Sequence, residues 1–143
     1  MRTVSWIILL LVGGLIILGS LASVGLAYFG GASDDVVVGN VTLGEVVGDR
    51  PDVESALRGR RGTAAAFALG FAVLLLFVVL GPYRHGAVWA WWAILVSTSA
   101  LALVVIARIA VLNSTLGAST GGILLGAVVI ALLLDIKRLK RSV

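Results

Sequence analysis

The sequence predicts an all-α membrane fold, an antiparallel bundle of four transmembrane helices with a small extracytoplasmic cap. Three observations carry that expectation. The chain is 60% hydrophobic and 13% charged, with a mean hydropathy of +1.14, where a soluble domain holds about 25% charged residues. Its apolar residues gather into four runs, about 4–28, 63–80, 88–112 and 116–134, and a helix needs about 20 such residues to cross a bilayer. No acid lies in any run, and Arg108 alone brings in a charge. Finally, "AVLLLFVVL" and "AVVIALLL" are apolar on every face. Barrel strands alternate, whereas a helix satisfies its own backbone in lipid.

The first run opens after Arg2 with Trp6 and "WIILLLVGGLIILGSLASVGLA". A signal peptide cleaved near Ala27 is the competing reading, but this apolar run exceeds the usual core of about 7–15 residues. Gly19, Ser23 and Ala27 recur at four-residue spacing, as do Gly62, Ala66 and Gly70, and Ala118, Gly122 and Gly126. Such stripes let helix backbones approach closely, with packing inside the bundle the main expectation and a homo-oligomer the alternative.

The connection 30–62 reads as the outer cap. "VVVGNVTL" sets Gly-Asn between two β-prone runs, which predicts a hairpin. "GDRPDVESALRGR" predicts a short helix, with Asp49 as cap, Pro51 in the first turn and Asp52 and Glu54 near its positive end. Gly62 then lets the chain turn into the second transmembrane helix.

"GPYRHGAVWAWW", residues 81–92, closes that helix and starts the third. Gly81 is expected in the left-handed conformation, with Pro82 preventing continuation. Trp6, Tyr83, Trp89, Trp91 and Trp92 are expected as ring anchors at one membrane interface. Arg84 and His85 fall at the tip of the turn, in water or among lipid phosphates. The stretch "PYRHGAVWAWW" resembles a hairpin of small bacterial four-helix membrane proteins, in which a Pro-Tyr-Arg turn precedes a Gly and a Trp-Ala-Trp pair. The similarity runs from about Pro51 to Trp92 and implies the four-helix fold without an activity. In mid-helix three, Ser97, Thr98 and Ser99 are expected to bond back to their own helix.

Four helices place both termini and the 81–87 turn on one side. That side carries Arg2, Arg84, Lys137, Arg138, Lys140 and Arg141, against Arg50, Arg58, Arg60, Arg61 and Arg108 opposite. The dense tail "DIKRLKRSV" abuts helix four, where the positive-inside rule acts most strongly. The expectation is a multi-pass protein of the cell membrane with both termini cytoplasmic, although "RGRR" beside helix two pulls the other way. The Arg-over-Lys bias suggests a prokaryotic source. A pI near 10.4 then reports membrane sidedness, and no nucleic-acid partner is expected.

Chemistry is sparse. The chain has no cysteine and one histidine, which leaves no thiol redox chemistry, histidine-rich metal site or two-histidine haem ligation within one chain. No cofactor and no metal are expected, and no catalytic residue is assigned. Asp135 alone shares the side of His85, and one carboxylate makes no acid–base pair. Asn40-Val41-Thr42 and Asn113-Ser114-Thr115 match the glycan acceptor pattern, which recurs easily by chance. Arg108 has three readings: snorkelling to headgroups, pairing with Asp52 or Glu54, or joining Arg58, Arg60 and Arg61 to hold an anionic lipid headgroup or other ligand. The functional expectation is a non-enzymatic membrane protein binding membrane lipids, or a protein partner through residues 30–62. The alternatives are a small transporter, or a membrane enzyme acting on a lipid-soluble substrate.

Overall fold

The computed structural model describes residues 2–30, 37–38, 41–48, 50–112 and 118–136. Among the described residues, the regular structure is helical apart from one minimal β-ladder. The order is α1 (Arg2–Phe29), β1 (Val37–Val38), β2 (Val41–Thr42), α2 (Leu43–Val47), α3 (Pro51–Val78), a π-helical turn (Val79–Tyr83), α4 (Val88–Leu112) and α5 (Ala118–Leu134). Among the described residues, three helical stretches are long and apolar enough to cross a membrane: Thr3–Phe29, Pro51–Tyr83 and Val88–Ala107. α5 is apolar but shorter, at 17 residues, the low end of what spans a bilayer.

Two compact units divide the chain, Ile16–Ala72 and the combination of Met1–Leu15 with Val73–Val143. In the second of these, each helix turns a narrow stripe inward: Ser5, Leu9 and Val12; Leu75 and Val79; Ala90, Trp91, Ile94 and Thr98; Val128, Ala131, Leu132 and Asp135. The spacing of three, four or seven is that of one helix face. The Ile16–Ala72 unit buries Ser20 and Ala27 of α1, Val47 of α2, and Ala65 and Ala72 of α3.

Four local features depart from the sequence expectations. First, "PDVESALRGR" does not form a short helix of its own but is the start of helix two. α3 runs unbroken from Pro51, the expected first-turn proline, through Gly59 and Gly62 to Val78. A glycine costs about 1 kcal/mol in a helix interior, which is too little to stop a helix already nucleated and gaining a bond per residue. Thr63 Oγ1 donates to the Gly59 carbonyl at 3.0 Å, and buried Gly62 lies under the ring of Tyr28. Second, α2 was not foreseen. Thr42 caps it, its hydroxyl accepting from the Glu45 N–H while the Glu45 carboxylate accepts from the Thr42 N–H at 2.8 Å. This reciprocal pair is a capping box. The ladder pairs Val37 with Thr42 and Val38 with Val41; Gly39 and Asn40, the expected turn, lie outside the described residues, as do Asp49 and Asn113.

Third, Pro82 does not end the helix, and Gly81 is not left-handed. The backbone widens into a π turn containing Pro82, which accommodates a ring that would otherwise collide with the carbonyl one α-turn back. The Arg84 N–H bonds to Val79 and Gly81 carbonyls, and the Ala87 N–H to Pro82 at 2.9 Å. Gly86, with φ of 101°, makes the actual reversal. Fourth, the small-residue stripes are not tight packing seams at most of their glycines. A Cβ at Gly19, Gly70, Gly122 or Gly126 would meet nothing within 4 Å, whereas one at Gly62 would come 3.3 Å from the Tyr28 hydroxyl. Ser97 and Thr98 in helix three behave as expected: Ser97 Oγ donates to the Ala93 carbonyl at 2.8 Å, and Thr98 Oγ1 to Ile94 at 2.6 Å.

Candidate functional site at two capped helix ends

The last four carbonyls of any α-helix lack intrahelical partners, and in lipid no water is at hand to supply them. Among the described residues, each unit shows such an end closed by side chains from elsewhere in the chain.

In the Ile16–Ala72 unit the end belongs to α1. The Gly30 N–H takes the Leu26 carbonyl at 3.1 Å. Arg58, from α3, takes the next two: Nε donates to Ala27 at 2.8 Å and a terminal nitrogen to Tyr28 at 3.0 Å. A guanidinium suits the site because its donors diverge in a rigid fork and its charge opposes the negative end of the helix dipole. Glu54, one turn back on α3, lies 3.7 Å away, with both side chains about one-third exposed (33% and 29%). At that exposure the ion pair contributes only a few tenths of a kcal/mol, about 0.3–0.5 for such helix pairs; the carbonyl contacts dominate.

This placement bears on the arginines singled out by sequence. Arg58 is committed to α1 carbonyls. Arg60 is exposed and Arg61 half-buried on the same helix. At 100° per residue, Arg60 projects about 200° around α3 from Arg58, so these two do not share a face. The Arg108 side chain lies outside those described.

In the unit of residues 1–15 and 73–143, the end belongs to α5. Ser5 Oγ donates to the Ala131 carbonyl at 2.7 Å and lies 2.5 Å from the Tyr83 hydroxyl. A carbonyl can only accept, and serine has one proton. Tyr83 must therefore be the donor to Ser5, giving a directed chain from Tyr83 through Ser5 to Ala131. Trp91 Nε1 donates to the Leu132 carbonyl at 3.1 Å, which also receives the Asp135 N–H at 3.2 Å. Ser5 and Tyr83 are fully buried, and Trp91 and Asp135 nearly so, at 6% and 7% exposure. The Ser5 proton is held by a carbonyl, so the arrangement ties helices together and does not activate a nucleophile.

Of the five expected ring anchors, Tyr83 and Trp91 thus face protein and direct their polar atoms to protein partners. Trp89 and Trp92 are exposed at 59% and 50%. Trp91 and Trp92 meet edge to face at 5.1 Å. Trp6 lies beneath Arg84, whose guanidinium carbon is 5.1 Å from the ring centroid. His85 is exposed and its Nδ1–H donates to the Gly81 carbonyl at 2.6 Å, which selects that tautomer or the imidazolium. Ser5 drew no attention in the sequence; its one cue is that it shares a helix face with Leu9 and Val12.

These features define the class: a membrane-embedded protein built on apolar helices, three of them of spanning length. No known protein family, no curated protein and no solved structure matches the chain.

Proposed function

We propose that this is a non-enzymatic, four-span protein of the cell membrane, both termini cytoplasmic, whose outer connection forms a binding surface for anionic lipid or a protein partner. The observation that carries this reading is the closed base of that connection. Arg58 holds the carbonyls of Ala27 and Tyr28, and Gly62 lies under the Tyr28 ring. The ends of a stretch of about thirty residues are pinned together, which makes it a closed loop instead of a tether. Compact loops with adjoining ends are frequently functional. Within it the β-ladder and the capped α2 supply local order, and α3 presents Arg60 on its exposed surface.

On this reading Arg58 organises the base, while Arg60, Arg61 and Arg108 are the contacts to an anionic surface, each worth about 1 kcal/mol before competition from the loop acids. The test is deletion of residues 31–49, with Arg58 and Gly62 retained. Native mass spectrometry and pulldown should lose partner or loop-bound lipid, and Arg60→Ala with Arg108→Ala should weaken the lipid component alone. Equal recovery of both without the loop overturns the proposal.

A further inference from the structure

We propose that the exposed face of α3 running from Arg60 to Phe67 holds one anionic phospholipid, its phosphate on the Arg60 guanidinium and an acyl chain along the Phe67 ring. This rests on the reading of the outer surface as a lipid contact, narrows its arginines to one, and adds an apolar half to the site.

Depth follows from contacts inside the Ile16–Ala72 unit. Arg58 donates to the Ala27 and Tyr28 carbonyls, and Gly62 lies under the Tyr28 ring. Arg60, between those two positions on α3, is therefore level with the last turn of α1. Tyr28 is exposed there, and a tyrosine at the end of a spanning helix belongs at headgroup depth. The exposed Arg60 side chain is thus set level with lipid phosphates, where a guanidinium fork can take two oxygens at once.

Competition along the helix is low. An acid one turn away on either side would claim an exposed arginine, but those positions hold Ala56, Leu57, Thr63 and Ala64. Glu54 is turned to Arg58. Arg61 is half-buried and already engaged. Of the three arginines in this stretch, Arg60 is the one placed to meet a ligand.

Below Arg60 the same face turns apolar. Phe67 is seven residues on, about 10 Å deeper and within about 20° of the Arg60 direction at 1.5 Å and 100° per residue. Its side chain is 77% exposed. Thr63 and Ala64 between them are exposed and small, leaving a shallow stretch with a cation at one end and a ring at the other. The order of charge, small residues and ring matches the phosphate, glycerol and acyl chain of a phospholipid. A soluble phosphate would use only the cationic end, and a water-soluble partner would not reach a ring at acyl depth.

The experiment uses the full chain in detergent, with phosphatidylglycerol or phosphatidylcholine added and retained lipid counted by native mass spectrometry. Phosphatidylglycerol should be kept in preference. Arg60→Ala should lower its retention about fivefold, and Phe67→Ala about threefold. Leu18→Ala, which shortens an exposed apolar side chain on α1, should leave it unchanged. Glycerol phosphate at millimolar concentration should fail to displace the lipid. Thermal unfolding followed by circular dichroism identifies any variant that fails to fold; should Phe67→Ala do so, the glycerol phosphate competition decides the acyl-chain half alone. Displacement by glycerol phosphate, or a loss with Leu18→Ala equal to that with Phe67→Ala, overturns the acyl-chain contact and with it the proposal. So does a loss with Arg60→Ala that Phe67→Ala does not share, although the lipid reading of the outer surface then stands. Retention unchanged by Arg60→Ala overturns the proposal as well. Absence of any phosphatidylglycerol preference in the wild type overturns the lipid reading itself, and the proposal falls with it.

Discussion

The α5 end and the α1 end meet the same requirement with opposite chemistry. At α5 the donors are neutral, buried and drawn from three separate stretches: Ser5 near the start of α1, Tyr83 in the π turn and Trp91 in α4. At α1 one charged, part-exposed side chain, Arg58, covers two carbonyls. The difference follows from what each end must exclude. A buried neutral bond is worth little net, about 1 kcal/mol, but leaving a partner unmatched in the interior costs about 1–3 kcal/mol. A part-exposed arginine can be replaced in part by water and loses less when removed. The α5 end is therefore a point of high cost and low tolerance, and the α1 end a repairable clasp.

The largest expected effect comes from Ser5→Ala. It deprives both the Ala131 carbonyl and the Tyr83 hydroxyl of the bonds they make to Ser5, and should destabilise by about 2–4 kcal/mol. Tyr83→Phe removes a donor whose acceptor, Ser5, keeps its bond to Ala131, so it should cost less, about 1–2 kcal/mol. Unfolding titrations in detergent with denaturing surfactant give the order; a Tyr83→Phe loss exceeding that of Ser5→Ala would reverse the assigned donor direction.

Arg58→Ala should have a smaller global effect, about 1 kcal/mol, with a local signature. Amide hydrogen exchange should rise at residues 26–30 and around the base of the 30–62 connection, and limited proteolysis should quicken between 31 and 50. Arg58→Lys should recover only part of this, since a point charge does not match two diverging carbonyls as a fork does. Uniform exchange across the whole chain would instead make Arg58 a core element like Ser5, and the contrast between the two ends would fail.

The smallest effect concerns α2. Thr42 donates to the Glu45 carboxylate through its backbone N–H and its hydroxyl, and these bonds hold the Glu45 pKa below its ordinary value. A carboxylate with a lowered folded-state pKa stabilises the fold above its unfolded-state pKa. The contribution is lost as pH falls through the folded-state value. Exchange protection at the start of α2 should accordingly fade on acidification, and Glu45→Gln should remove that dependence. Protection that strengthens at acid pH would contradict the capping box.

How far the sequence could be read differs between these elements for physical reasons. Runs such as "AVLLLFVVL" marked helices because lipid burial needs no particular neighbour, and α4 follows its expected bounds of 88 and 112. The start of helix two was misplaced by twelve residues, at 63 instead of Pro51. Arg58, Arg60 and Arg61 read as a polar boundary, while the chain carries its polar first turns and its apolar run as one continuous helix. Residue type alone marks Tyr83 as a candidate interfacial ring; its full burial and its bond to Ser5 involve a partner 78 residues away, which residue type does not announce. Arg58 was grouped with other arginines as a ligand contact. Its partners are backbone carbonyls, and those leave no mark in the sequence.

The central claim is that Ser5 and Tyr83 act as one unit at the α5 end, and a double-mutant cycle tests it most directly. Ser5→Ala, Tyr83→Phe and the pair are measured by the same unfolding titration. Residues sharing a hydrogen-bond network typically show coupling of about 0.5–3 kcal/mol. With Ser5 gone, the bond from the Tyr83 hydroxyl to Ser5 no longer exists, so deleting that hydroxyl should then cost less than it does in the wild type. The double variant should thus fall clearly short of the sum of the two single losses. Losses that simply add would mean that the two hydroxyls contribute independently, and the directed chain from Tyr83 through Ser5 to Ala131 would be wrong.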